Sequence, residues 1–359
     1  MSTPNQPADG DPSPSRLSIL ETAHSAAILT QQALDRLLLE EMNRYDSEDT
    51  SLVVFGSLAR GEWTGGSDLD WTYLVDGQAN SDHLRIVREI SDVLSRHREL
   101  FRAPGPTGIF GNLAFSHELI HQIGGQADTN RNTTQRVLLL LESAVIGKGT
   151  QAYDRVLRAV INRYLEEDSH LLTDDRKRYR VPRFLLNDFV RFWRTMAVDF
   201  ASKQRDRGGE GWGLRNAKLR MSRKMIFASG LLVCFSCNLD SALQTRISTD
   251  KSAIRLELVN HIRDSVRMTP LKILDKFLRQ LDIPEQIQRD FFASYSEFLG
   301  LLDNEESRNR LQNLRASESG TDPVFQQVKQ ISAVFERSLD HIFFEDARLK
   351  SLTRKYGVF

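Results

Sequence analysis

The chain is poor in the residues that staple or span. Its 359 residues hold two cysteines, too few for a disulfide framework, which points to a reducing compartment and a cytoplasmic protein. Proline is scarce and uneven: four of the ten lie within the first 15 residues, a stretch with little to bury that is read as a disordered tail. That N-terminus has neither a basic segment nor an apolar core, so it is not a secretory signal. The most apolar run, 225–237, is too short to cross a bilayer, so no membrane partner is expected. Net charge is also missing. Lys plus Arg and Asp plus Glu both number 48, which argues against a protein that coats nucleic acid over its whole surface. What remains is ordinary globular material, 40% apolar and 27% charged, with a length of about two domains of roughly 150 residues.

Apolar residues recur at helical spacing from Leu17 to Met42, as one long helix or two shorter ones. Ser51 to Phe55 is a short β-rich run ending at Gly56, the pattern of a buried strand. Asp68 to Val75 alternates polar with apolar and ends at the turn pair Asp76-Gly77, a second strand. Helical periodicity runs from a cap at Ser81 or Asp82 to Phe101. Residues 108–115 read as loop then strand, and Ser116 to His121 fits either strand or helix. Thr133 or Thr134 would cap a helix through Ile146, and Thr150 another through Leu165; beyond that only helices follow. The fold class is therefore α+β: a small mixed sheet in residues 16–150, then an all-α bundle in 151–359. The apolar stripes between Leu271 and Phe344 are core, with a homo-oligomer interface as their second use.

The chemistry concentrates between residues 55 and 75. A strand ending in Gly56-Ser57 lets a backbone approach an anion closely, and the Ser57 hydroxyl adds a donor. The Walker pattern G-x-x-x-x-G-K-[ST] is absent here. Asp68 and Asp70, two apart on a strand, emerge on one face while Leu69 and Trp71 point to the other. Two adjacent carboxylates repel unless a cation joins them, and hard oxygen donors favour Mg²⁺ or Mn²⁺.

Apolar-Gly-Ser, ten residues, then Asp-apolar-Asp-apolar resembles the signature of the nucleotidyltransferase superfamily typified by DNA polymerase beta. The post-Gly-Ser segment Ser57 to Gly61, with Arg60, is also similar to that family's. The resemblance implies a small mixed sheet, an NTP substrate, two divalent ions, and transfer of a nucleoside monophosphate to an acceptor hydroxyl of a protein, an RNA end, a small molecule or a second nucleotide. It implies that Asp68 and Asp70 hold the metals and that Gly56 and Ser57, with Arg60 and Ser67 nearby, hold the phosphates. The family's third carboxylate comes from a later strand; Glu118 is the first candidate and Asp128 the second. Asn216-Ala-Lys218 is distantly similar to a segment of glutamine-synthetase adenylyltransferases and signal-protein uridylyltransferases, which makes Lys218, Arg220 and Arg223 candidates to close over the triphosphate or the acceptor.

Three other features compete. His117-Glu118-Leu-Ile-His121 is an H-E-x-x-H, which on a helix would offer two zinc ligands and a general base, a hydrolase reading; Ala127 stands where a third ligand would follow. Cys234 and Cys237 form a C-x-x-C inside an apolar helical run, a pattern of core packing. Residues 176–224 carry 15 Lys and Arg against 4 Asp and Glu, an excess suited to an anionic partner on one face. A nucleotide-binding regulator without catalysis is the alternative function.

Overall fold

The computed structural model describes residues 15–104, 109–166, 168, 170–206 and 208–357; the expected tail, apart from Ser15, lies outside them. The first half alternates helices and strands. It comprises α1 (Ser15–Met42), β1 (Thr50–Phe55), α2 (Gly56–Arg60), β2 (Trp71–Val75), α3 (Ser81–Arg96), β3 (Asn112–Phe115), α4 (Ser116–His121), α5 (Asn130–Leu141) and β4 (Ser143–Ile146). These strands form a four-stranded mixed sheet in the order β3-β2-β1-β4. β1 runs antiparallel to both β2 and β4, and β2 runs parallel to β3.

The period-2 pattern of β1 separates two cores. Leu52 and Val54 pack with Trp71, Tyr73 and Val75 against α1 and α3, while Val53 and Phe55 join Leu74 and the helices that follow. The second of these clusters runs without a break from the sheet into the C-terminal helices, across residue 150.

The helical part comprises α6 (Gln151–Glu166), α7 (Arg183–Asp206), α8 (Trp212–Lys218), α9 (Lys224–Leu239), α10 (Ser241–Gln244), α11 (Lys251–Val266), α12 (Pro270–Gln280), α13 (Glu285–Asp303), α14 (Glu305–Asn313), α15 (Pro323–Asp340) and α16 (Ala347–Leu352). One π-helical turn, Leu219–Arg223, joins α8 to α9. The apolar run 225–237 is thus part of a longer helical stretch, Trp212–Gln244, which by length and composition could cross a membrane; 67% of its most apolar window is buried inside the protein. Both α9 cysteines are fully buried free thiols, and burial pushes each pKa up, as core packing requires.

Several local expectations need correction. Asn80, and not Ser81 or Asp82, caps α3, accepting from the Asp82 N–H at 3.1 Å. That helix ends at Arg96, short of Phe101. Thr129 caps α5. The helix expected to reach Ile146 stops at Leu141, because 143–146 pairs with β1 as an edge strand. The apolar run before it fits either structure by periodicity, and only the partner strand decides. Part of the basic excess of 176–224 is matched within the protein: Arg183 pairs with Asp168, Arg191 with Asp128, Arg223 with Glu142 and Lys224 with Glu336.

Candidate active site

β1 ends in a backbone bend that only glycine adopts readily: Gly56 has φ +66°. A Cβ there would lie 3.2 Å from Asp70 Oδ2. The bend therefore faces the Asp70 carboxylate, and a side chain at position 56 would crowd it.

The two aspartates sit in the extended segment that leads into β2, just ahead of the strand itself. Phe55 N–H donates to the Asp70 carbonyl at 2.8 Å, and Leu69 N–H to the Arg102 carbonyl at 2.9 Å. The alternation survives: Leu69 and Trp71 are buried in the core, whereas Asp68 and Asp70 both line a cleft with Gly56 and Ser57. Among the described residues neither aspartate side chain has a hydrogen bond or an ion pair, and the Ser57 hydroxyl has no partner. Burial pushes the Asp70 carboxyl up to about 6; Arg223 and Lys218 pull it down, while Glu142 and Asp68 push it higher.

The opposite wall comes from the helical part. Lys218, Ser222 and Arg223 stand on α8 and the π turn, and Arg308 on α14. In a regular α-helix, residues five apart diverge; the wider π turn brings Lys218 and Arg223 onto one face. Lys218 is half-buried and unpaired among the described residues. Burial, then the charges of Arg308 and Arg223, lower its pKa to about 8, opposed by Asp68 and Asp70. Arg308 donates to the Gly66 carbonyl, and its guanidinium occupies the space that a Gly66 side chain would need. Asp68 helps to keep Arg308 charged against the cost of its burial.

A buried ionic cluster borders the cleft. Arg60 donates to Glu62 at 2.8 Å and to Glu142, and Arg223 reaches the other oxygen of Glu142 at 3.2 Å. Tyr295 of α13 lies beside Glu62. By extension of the β1–β4 register, Glu142 stands opposite Gly56. Arg60 was expected to hold phosphate; it lines the cleft, but its guanidinium is taken by two carboxylates. Ser67 also lines the cleft, and its hydroxyl closes a turn with Thr64, 3.1 Å from both the Thr64 N–H and its hydroxyl.

The expected third carboxylate is not delivered. Glu118 lies on α4, exposed and outside the cleft, not on a strand. Asp128 is buried in a salt-bridge cluster with Arg136 and Arg191; burial works against its charge, but the hydrogen bonds from Arg136 and from Gly124 N–H hold its pKa below the usual value. β3 carries no acid at all; its register sets Phe110 opposite Asp70, and that ring packs on Phe55 at 5.2 Å. Glu118→Ala should therefore leave transfer activity within about twofold of the parent protein, measured as label incorporated from NTP.

His117 and His121 do share a helix face, with ring centroids 5.0 Å apart. No cluster of three or more His, Cys, Asp or Glu side chains suited to a metal occurs among the described residues, so the pair lacks a third zinc ligand there. A two-carboxylate cleft suits Mg²⁺ better, because that ion keeps water and takes substrate phosphate oxygens around one or two carboxylates.

Sequence reasoning missed Arg308 and Glu142. The pair Gly65-Gly66 beside Asp68 was the one local signal that something approaches the backbone there.

Residues 35–101 match the family model of the nucleotidyltransferase domain. That match supports a nucleotidyltransferase-like segment in the N-terminal part of the chain. It contains Gly56, Ser57, Asp68 and Asp70 and stops before β3. No curated protein matches the chain.

Proposed function

We propose that the protein transfers a nucleoside monophosphate from an NTP to an acceptor hydroxyl. One observation carries the reading: two carboxylates and an ammonium group without direct partners among the described residues converge on a cleft beside a glycine bend. Asp70 and Lys218 are half-buried, and unpaired charges so placed oppose folding, so their meeting with Asp68 in one cleft calls for a charged ligand. Gly56 and Ser57 take the β and γ phosphates, while Lys218, Arg223 and Arg308 neutralise triphosphate charge from above. Asp68 and Asp70 hold Mg²⁺ or Mn²⁺, which when bound supplies electrostatic stabilisation to the leaving pyrophosphate. The acceptor oxygen attacks the α-phosphorus, its bond to the pyrophosphate oxygen breaks, and the hydroxyl proton leaves to solvent or a nearby base.

Incubation with each α-labelled NTP, Mg²⁺ and cell extract tests this. Label should move to one class of acceptor, with pyrophosphate released. The acid-free β3 favours a second reading, a regulator that binds nucleotide and does not turn it over. Thermal stabilisation by Mg·NTP without pyrophosphate release from any of the four NTPs would select it.

Lys218→Ala should raise KM for the NTP about 10- to 100-fold with a smaller change in kcat, since phosphate charge is present in both ground and transition states. Nucleotide affinity of the parent protein should fall as pH rises through and above about 8, where Lys218 loses its charge, and this decline should be absent in the variant. Equal pH profiles would remove Lys218 from the site.

A further inference from the structure

A second cavity lies in the helical part and shares no residue with the cleft. The segment after α6 folds into a small hairpin: Leu172 bridges Tyr179, Arg180 N–H donates to the Leu171 carbonyl at 2.8 Å, and Thr173 N–H to the Arg178 carbonyl at 2.8 Å. Its base is fixed to the bundle. The buried Tyr179 donates its N–H to Gln244 Oε1 at 2.9 Å, accepts at its carbonyl from the Asn238 amide at 2.8 Å, and donates its hydroxyl to the Arg246 carbonyl. The hairpin thus presents Arg176, Lys177 and Arg178 on a rigid stem. Between it and the loop ahead of α11 lies a cavity of about 480 Å³, within the usual size range for small-ligand sites.

The lining divides by chemistry. Leu171, Leu172, Ile247 and Ile254 form an apolar floor; Arg176, Arg180, Lys251 and His170, with the hydroxyls of Thr173, Ser248 and Thr249, form the rim. Asp174 is the acid of the lining, and it already pairs with Arg180. Asp175 is held by the Thr173 hydroxyl and Lys177 N–H, and Asp250 caps α11. Arg176 and Lys251 make no ion pair among the described residues. The cavity therefore has two uncommitted cations over an apolar floor.

We infer that this cavity binds a phosphate monoester carrying an aromatic or nucleobase ring, with the phosphate on Arg176 and Lys251 and the ring against Ile247 and Leu172. Cations and hydroxyls select the phosphate, and the floor rewards an apolar remainder that inorganic phosphate lacks. The site stands whether or not the cleft is catalytic, because no residue is shared.

Equilibrium binding of phenyl phosphate and of AMP to the whole chain tests it. Both should bind saturably. The double variant R176A/K251A should weaken each at least tenfold, and Ile247→Ser severalfold. Circular dichroism should show all variants folded, since the altered side chains are exposed or half-buried. Inorganic phosphate should compete at least tenfold less well than phenyl phosphate. Failure of both probes to saturate, binding untouched by R176A/K251A, or phosphate competing as well as the esters would each overturn the assignment.

Discussion

Replacing Asp70 with Asn should lower nucleotidyl transfer by about a thousandfold or more while leaving the protein at least as stable as before. The first half follows from removing a charge that faces the glycine bend and, in the proposed reaction, holds the divalent ion. The second half follows from the cost of that charge. The Asp70 carboxyl is raised from 3.8 to about 6 in the folded protein, mainly by burial. The unfolded chain therefore gives up this proton more easily, so ionisation weakens the fold as pH rises from about 4 to about 6, with the full penalty present above that. Asn carries no such penalty. At pH 7.5 the variant should be more stable by about 1–3 kcal/mol, and the gain should shrink toward pH 4. Denaturant melts at pH 4.5 and 7.5 with parallel rate measurements check both halves. A destabilised Asp70→Asn protein would make Asp70 a structural acid.

Arg60→Met should do the reverse, costing about 3–5 kcal/mol of stability. Arg60 is buried with Glu62 and Glu142, and although burial opposes its charge the two carboxylates hold it protonated. Without it, Glu142 keeps Arg223, but Glu62 is left buried with no cationic partner. Activity should fall as well, because Glu142 holds Arg223 toward Asp70. Lowering pH should recover part of the stability, since protonating Glu62, whose pKa burial already raises, removes the stranded charge. An Arg60→Met protein that melts with the parent would mean that Arg60 serves the ligand and not the fold.

The centre of the site was legible because its determinants are local. A β-rich run, a glycine at its end and two acids at period two lie within 20 residues, and short-range sterics fix their geometry. Lys218 stood out only through the short Asn216-Ala-Lys218 resemblance and its charge; the π turn that aligns it with Arg223 has no sequence signature. Arg308 sits in the polar helix α14, which reads as solvated surface, and it becomes a site residue only because α14 docks over Gly66. Glu142 is separated by some 70 residues from Asp70, whose carboxyl it influences, and the strand after it forms only because β1 has a free edge. Glu118 misled for the same reason: six residues that fit strand or helix became a helix, and the acid turned to solvent.

The central claim is that Asp68 and Asp70 form one divalent-ion pocket against the Gly56 bend. Electron paramagnetic resonance of Mn²⁺ titrated into the protein with a non-hydrolysable NTP analogue tests it most directly. The parent protein should bind Mn²⁺ saturably with the analogue, and the Asp68→Asn and Asp70→Asn variants should each lose at least tenfold in affinity while remaining folded. Mn²⁺ binding that survives both substitutions would contradict the account.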